Sequence, residues 1–526
     1  MKSTLSLTIF SQLATLLICL PIIAQTPVVK LSEEFKLDRN KFFEGHLDSD
    51  AEGHYLYYYQ ESRDARYKTA VVVTKFDKAF NEIWSYDYYP EERRTSTYGL
   101  KTVNNKFLWL FAEEPDRTER DYFLVAIDKN GDLGKRVKVN SIEFKTRGDE
   151  PNVDWSVSED STMVAVVQFL DRNSRDVDFE YDVTVLDDEL EVLWKSSIWM
   201  KKKSQEQIEV ISSVLGNDGA FYSLVKEYED RNAREVKRKK TRGGRKKVPA
   251  YDLKIYKLGE GMTKPEILTL NLKDKFAKGA SLAVGEDGTI TCVGMYGNDR
   301  RGNINGVFYQ SLDPTGQVMN TYQKEFSVRD LEVLGNRNSD EERGGKGSIE
   351  GVFRFGDQLT QTDGSTIITA EHNYEVNTQD ANGFWRTTFH SRDVIIIHFE
   401  AEGKVRGINL IPKRQSSTTN TFLSHAGVAL DDQPAYFIYN DHKENIDRAI
   451  DKRPRQMRSA SNGVTALAYI DEAGDLQREV LLDNKKLRSL ILPYTCKRID
   501  ENSFFFIAMK PKFLSRPAFI MGTAEF

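Results

Sequence analysis

A four-part phrase recurs along this chain, and its clearest copy, residues 208–272, constrains the fold more than any other stretch. Four short runs rich in β-branched and aromatic residues, at 208–215, 220–227, 251–258 and 266–272, are separated by turns or a loop. The first separator is Gly216-Asn217-Asp218-Gly219, the second a long basic segment, the third a Gly/Pro turn. Runs of this length bounded by turn residues read as strands, and their connections make neighbours antiparallel. One phrase is therefore one four-stranded antiparallel sheet.

The third run of each copy ends in a turn of shared chemistry. It reads Asp77-Lys78-Ala79-Phe80, Asp128-Lys129-Asn130-Gly131, Asp187-Asp188-Glu189-Leu190, Gly259-Glu260-Gly261, Asp313-Pro314-Thr315-Gly316, Glu400-Ala401-Glu402-Gly403 and Asp471-Glu472-Ala473-Gly474. Asp and Gly recur because the turn needs a side chain that bonds its own backbone and a residue that adopts a left-handed conformation. An eighth copy, at 494–499, 503–510 and 517–525, lacks its fourth run, while 28–37 has the character of a fourth run with no sheet of its own. An open array leaves one strand edge unpaired and one apolar face uncovered. The spare run is therefore predicted to complete the last sheet and close a ring. Length alone suggests several domains, but a closed array spends 526 residues on one body, here 26–526.

A ring of such units resembles the β-propeller superfamily. The resemblance implies an all-β fold of four-stranded antiparallel blades, eight by this count, or seven if one unit is an accessory hairpin. Named subfamilies are not matched: there is no Gly-His and Trp-Asp pair of WD40 type, and the units run to about 60 residues against the usual 40–45. Gly285-Glu286-Asp287-Gly288-Thr289 and Thr362-Asp363-Gly364-Ser365-Thr366 approach the sialidase Asp box but lack the Trp that follows it. The likeness is to divergent exported propellers of bacterial envelopes and implies no single activity.

Residues 1–25 read as a signal peptide, with Lys2 ahead of a mostly apolar run at 5–21 and a cleavage point near Ala24 or Gln25. The run is too short and interrupted for a retained anchor, and lipoprotein processing at Cys19 is opposed by Ile18 where a small residue is wanted. The mature chain is expected to be exported, whether periplasmic, associated with the outer envelope or secreted, with no transmembrane helix after signal removal. Its formal net charge of -6 offers no global attraction to nucleic acid. Cys292 and Cys496 fall in units that are not neighbours, so they are expected to be buried free thiols.

Strand direction places each second-to-third loop at the same end as the connection to the next unit. The long segments 228–250, 373–392 and 440–462, and the insertion 328–351, therefore share one face. Function concentrates on such loops. Arg63, Arg117, Arg172, Arg231, Arg300 and Arg386 recur there beside acidic residues. Guanidinium forks suit carboxylates and phosphates, whereas the plainer reading is solvated tips with ion pairs worth under about 1 kcal/mol each. Lys237, Arg238, Lys239, Lys240 and Arg242 belong to a basic run that repels itself and is expected to be disordered when free. His372, His390, Asp393 and His442, with Glu371 and Asp441 beside them, are weak metal or acid/base candidates, against structural histidines. Their spacing matches no established metal motif. There is no nucleophile elbow or phosphate loop, and no cofactor is implied. Two functions fit: a non-enzymatic binding or scaffold protein gripping an acidic glycan or an envelope protein through the long-loop face, or a polysaccharide-active hydrolase or lyase at the channel mouth.

Overall fold

The computed structural model describes residues 27–526 apart from 62–68, 91–94, 117, 144–151, 171–178, 201–206, 230–234, 242–243, 286, 301–303, 328–329, 331–333, 335–352, 380–382 and 512–515. Its strands form eight antiparallel sheets of four or five strands and one separate two-stranded sheet. The first blade, Lys41–Ser49, Gly53–Glu61, Thr69–Asp77 and Glu82–Tyr88, is a simple meander. Blade four, Gln207–Leu215, Phe221–Tyr228, Tyr251–Leu258 and Glu266–Leu270, repeats it within two residues of the boundaries expected from the sequence.

First strands touch first strands from blade one to blade seven, and the turn Pro493–Thr495 of blade eight touches the first strands on either side, so these elements surround a central channel. Burial explains the radial arrangement. The middle strands are apolar on both faces, as in Gly306–Leu312, where every residue is buried, so each sheet needs a neighbour on either side. Val71 and Val73 of the first blade accordingly pack with Trp109 and Phe111 of the second. The circle closes as expected: Val28–Leu31 pairs antiparallel with Ala518–Glu525, from Val28 opposite Glu525 to Leu31 opposite Gly522, and Phe35 bridges Phe519. The chain is an eight-bladed β-propeller.

The recurrent turns have the predicted chemistry. Asp128 Oδ1 accepts from the backbone N–H groups of Asn130 and Asp132 at 2.8 and 2.9 Å, and Asp77, Asp187 and Asp313 repeat the arrangement. The left-handed position is glycine in five of these turns, but Phe80 (φ 66°) and Leu190 (φ 59°) occupy it in blades one and three. Leu190 is buried in the core, which offsets the strain of about 1–2 kcal/mol. Gly403 and Gly474 share φ near +84°, yet an added Cβ would strike the Tyr309 ring at Gly403 and meet nothing at Gly474. Gly474→Ala is therefore expected to lose only the conformational penalty of about 1 kcal/mol, and Gly403→Ala clearly more. Urea unfolding of the two variants side by side measures the difference.

Three segments depart from expectation. The basic run is ordered: Val236–Thr241 pairs with Gly244–Pro249 as a hairpin beyond blade four. Segment 373–392 is largely strand, because Thr366–Gln379 and Trp385–Phe399 stay paired as far as Gln379 opposite Trp385. Alternating Tyr374, Val376, Thr378 and Thr388 suit strand pairing there. In blade eight the first strand is broken into Leu490–Ile491 and Lys497–Arg498 by a turn at Pro493–Thr495, since proline has no N–H for the ladder. Cys292 and Cys496 are buried free thiols. Among the described residues, no helix is long and apolar enough to cross a membrane.

Candidate functional site

Arg63, Arg117, Arg172, Arg231 and Arg242 lie outside the described residues. Arg300 is exposed and its Nε lies 3.1 Å from Glu235, tying blade five to the base of the basic hairpin. Arg386 is exposed near the tip of the extended blade-six strands. These two arginines are thus on separate protrusions.

The hairpin sorts its cations by face. Lys237 lies opposite Val248 and Lys239 opposite Lys246; Val248 is buried, and this side is tied down by Lys237 on Glu229 and by Lys239 on Asp274 at 3.1 Å. The other side places Arg238 opposite Lys247 and Lys240 opposite Arg245, all four exposed. Among the described residues none of these four has a hydrogen-bond or ion-pair partner. Like charges directly across a strand pair repel, so this face is held in a state that an anion would relieve.

The blade-six and blade-seven candidates do not converge on a metal site: among the described residues no cluster of His, Cys, Asp or Glu has metal-holding geometry. His372 stacks on Phe353 at 5.3 Å, and His390 stacks on Tyr374 at 4.6 Å. Burial, helped by Arg392, lowers His372 to about 4 and also lowers His390, so both imidazoles are neutral. His442 Nδ1 accepts from the Glu444 N–H and caps a short turn. Asp393 accepts the Lys413 backbone N–H at 3.1 Å.

What gathers there instead is a buried ionic cluster built around a residue the sequence does not single out. Lys413, wholly buried in the connection between blades six and seven, pairs with Glu371, and its ammonium also donates to Ser391 and to Gln415 Oε1 at 3.0 Å. Ser391 donates to Glu371 Oε1 at 2.6 Å, and Ser424 donates to Oε2. His425 Nδ1 is 3.6 Å from that oxygen, while its Nε2 meets Thr369 at 3.0 Å. Burial pushes the Glu371 carboxyl up, but Lys413 and His425 outweigh it and hold it well below the usual range. The cluster fixes Ser424 in a left-handed conformation, φ 77°, with its N–H directed to Gln415 and Ser391. Backbone strain of this kind persists only where surrounding bonds over-determine it.

Ser424 and His425 form one wall of a cavity of about 670 Å³ at the long-loop mouth of the channel. The floor is Pro493, Tyr494 and Cys496 of blade eight, and the facing wall is Phe43 and Glu44 of blade one. Glu44 is the extra residue of a β-bulge between the pairs Phe43–Tyr58 and Gly45–Tyr57. A bulge bends the strand and re-aims the side chain it carries. Burial raises the Glu44 carboxyl, and among the described residues no basic side chain counters it. The same carboxylate pushes up the tyrosines Tyr57 and Tyr59, each chiefly raised by its own burial. Nothing in the sequence marks Glu44; only the register of its strand does.

No family model matches the chain, and no curated protein matches it. Solved structures of propeller form are similar in fold. The β-propeller domain of the Trilobed protease from Pyrococcus furiosus aligns with 85% of this chain and 99% of its own at 12% identity, TM-score 0.37. The WD40 domain of SCAP from fission yeast aligns with 94% of this chain and 98% of its own at 8% identity, TM-score 0.33. An oligogalacturonate lyase in complex with manganese aligns over 94% and 98% at 7% identity, TM-score 0.32. Enzymes and non-enzymes stand together among these neighbours, and likeness at this level concerns architecture alone.

Proposed function

We propose that this chain is an exported, non-enzymatic recognition or scaffold protein of the bacterial envelope whose long-loop face grips an acidic glycan or an acidic face of a protein partner. The observation that carries the reading is the hairpin face of Arg238, Lys240, Arg245 and Lys247, held out from the body while the opposite face is anchored. Export rests on the signal-like character of residues 1–25, and N-terminal sequencing of the exported chain should begin near Gln25.

Polygalacturonate serves as the acidic probe. Four exposed contacts at about 0.5 kcal/mol each sum to about 2 kcal/mol, roughly thirtyfold in affinity. Replacing all four cations with alanine is expected to weaken binding by that factor at low salt and by much less at high salt, where exposed charges are screened. Binding unchanged by the substitutions removes the hairpin from the reading. A competing glycoside hydrolase needs a second acid near the first in a shared pocket. Among the described residues lining the long-loop cavity, Glu44 is the one carboxylate, which tells against glycoside hydrolysis in that cavity.

A further inference from the structure

We propose that the cavity at the long-loop mouth of the channel holds the ammonium group of a small amine-bearing ligand, with Glu44 as its counter-ion and Tyr494 as an aromatic wall. This site is separate from the basic hairpin and has the opposite charge preference.

Among the described residues the lining carries a carboxylate and no lysine or arginine: Glu44 faces the space together with Tyr494, Ser424 and His425. Among the described residues, neither Glu44 nor Tyr57, Tyr59 or Tyr494 has a hydrogen-bond or ion-pair partner. A half-buried carboxylate in that condition retains an unbalanced negative charge, and a cation is the group that relieves it. Lys497, next to Cys496 in the chain but outside the lining, is drawn to Asp48. Tyr494 remains 51% exposed despite lining the cavity, so its ring is available to a guest. Tyr57 and Tyr59 pack edge to face, centroids 6.1 Å apart, on the strand next to the bulge. A carboxylate and aromatic rings in one cavity, here Glu44 with Tyr494 and Phe43, recognise ammonium groups by charge and by the ring quadrupole.

The facing wall needs no ligand to take shape. Ser424 is already locked by Glu371, Ser391 and Gln415, so the binding geometry is largely formed beforehand and less ordering opposes binding. At about 670 Å³ the space admits a molecule of sugar size. An anion is repelled, and a neutral sugar leaves the charge of Glu44 unanswered.

Isothermal titration of the chain with glucosamine, choline and N-acetylglucosamine tests this. Glucosamine or choline should bind, and N-acetylglucosamine, which keeps the ring hydroxyls but loses the charge, should bind at least about tenfold more weakly. Binding of glucosamine alone assigns a primary amine on a sugar; binding of choline alone assigns a quaternary ammonium; either supports the proposal. Glu44→Gln should weaken the amine at least about tenfold and Tyr494→Ala several-fold, with both residues partly exposed and outside the core. The four-alanine hairpin variant should bind the amine as well as the unaltered chain, which keeps this test apart from that of the hairpin. Binding of N-acetylglucosamine as tight as that of glucosamine, full binding in Glu44→Gln, or no binding of either amine at about 10 mM would overturn the inference.

Discussion

Glu371→Gln is expected to destabilise the protein by about 3–5 kcal/mol at neutral pH, one of the largest effects any single substitution outside the apolar core should produce. The reason is Lys413. Its ammonium is wholly buried, and without the carboxylate it is left with Ser391 and the Gln415 amide oxygen. Removing one partner of a buried pair leaves the other charge uncompensated, whereas removing both gives much of that penalty back. Glu371→Gln combined with Lys413→Met should therefore be less destabilised than Glu371→Gln alone, even though Ser391 and Ser424 lose an acceptor in both. Urea unfolding of the two single variants and the double variant gives the coupling energy. A Glu371→Gln loss under about 1 kcal/mol would show that the cluster is solvated or rearranged in solution.

The pH dependence of the same pair has a definite sign. Glu371 is held below its ordinary value in the folded chain, so its contribution to stability is present above the unfolded value of 4.5 and is lost as pH falls through the folded value. Lys413→Met removes the first of the two groups that depress it, leaving His425 alone against burial. The loss of stability that the unaltered cluster shows as pH falls below 4.5 should therefore be smaller in that variant.

Much of the architecture is legible in the chain because it rests on local chemistry repeated many times. Asp128 and Gly131 state a turn wherever they occur, and residues 28–37 read as a strand without a sheet before any sheet is known. The basic hairpin was harder to read, because self-repulsion of Lys237 through Lys240 argues against order. What orders it lies outside the run: Val248 is buried, and Glu229 and Asp274 anchor one face. The Gly243-Gly244 step and the valines near either end, Val236 and Val248, were the available sequence signal. The ionic cluster and the channel-mouth cavity had no such signal. Lys413 is one of 74 lysines and arginines, and its pairing with Glu371 arises only when the connection between blades six and seven folds over the end of blade six. Glu44 acquires its character from a one-residue register shift, which composition does not record. Among the acidic and histidine residues marked in the sequence, Glu371 and Asp441 are the most deeply buried.

Asp441→Asn should stabilise the protein in alkaline solution and have little effect in acid. Asp441 is fully buried at the end of the second strand of blade seven. Its Oδ1 accepts from the His442 N–H and from Asn445 Nδ2, both at 2.7 Å, whereas Oδ2 has no partner. Burial raises the carboxyl to about 7; the bonds from Asn445 and His442 and the charges of Lys413 and Arg478 offset burial only in part. Between the unfolded value of 3.8 and the folded value of about 7, the unfolded chain loses this proton and the folded chain keeps it. Stability must fall as pH rises across that window and level off above it, by about 4 kcal/mol for a shift of this size. Asparagine keeps the Oδ1 acceptor and carries no charge, so it removes the slope. Unfolding at pH about 4 and about 8.5 should therefore show the variant gaining on the unaltered chain only at the higher pH, by up to the same about 4 kcal/mol. If the two chains lose stability in parallel between those conditions, Asp441 is ionised in the folded protein and Oδ2 has found a donor, with Arg478 and Lys413 the first to examine.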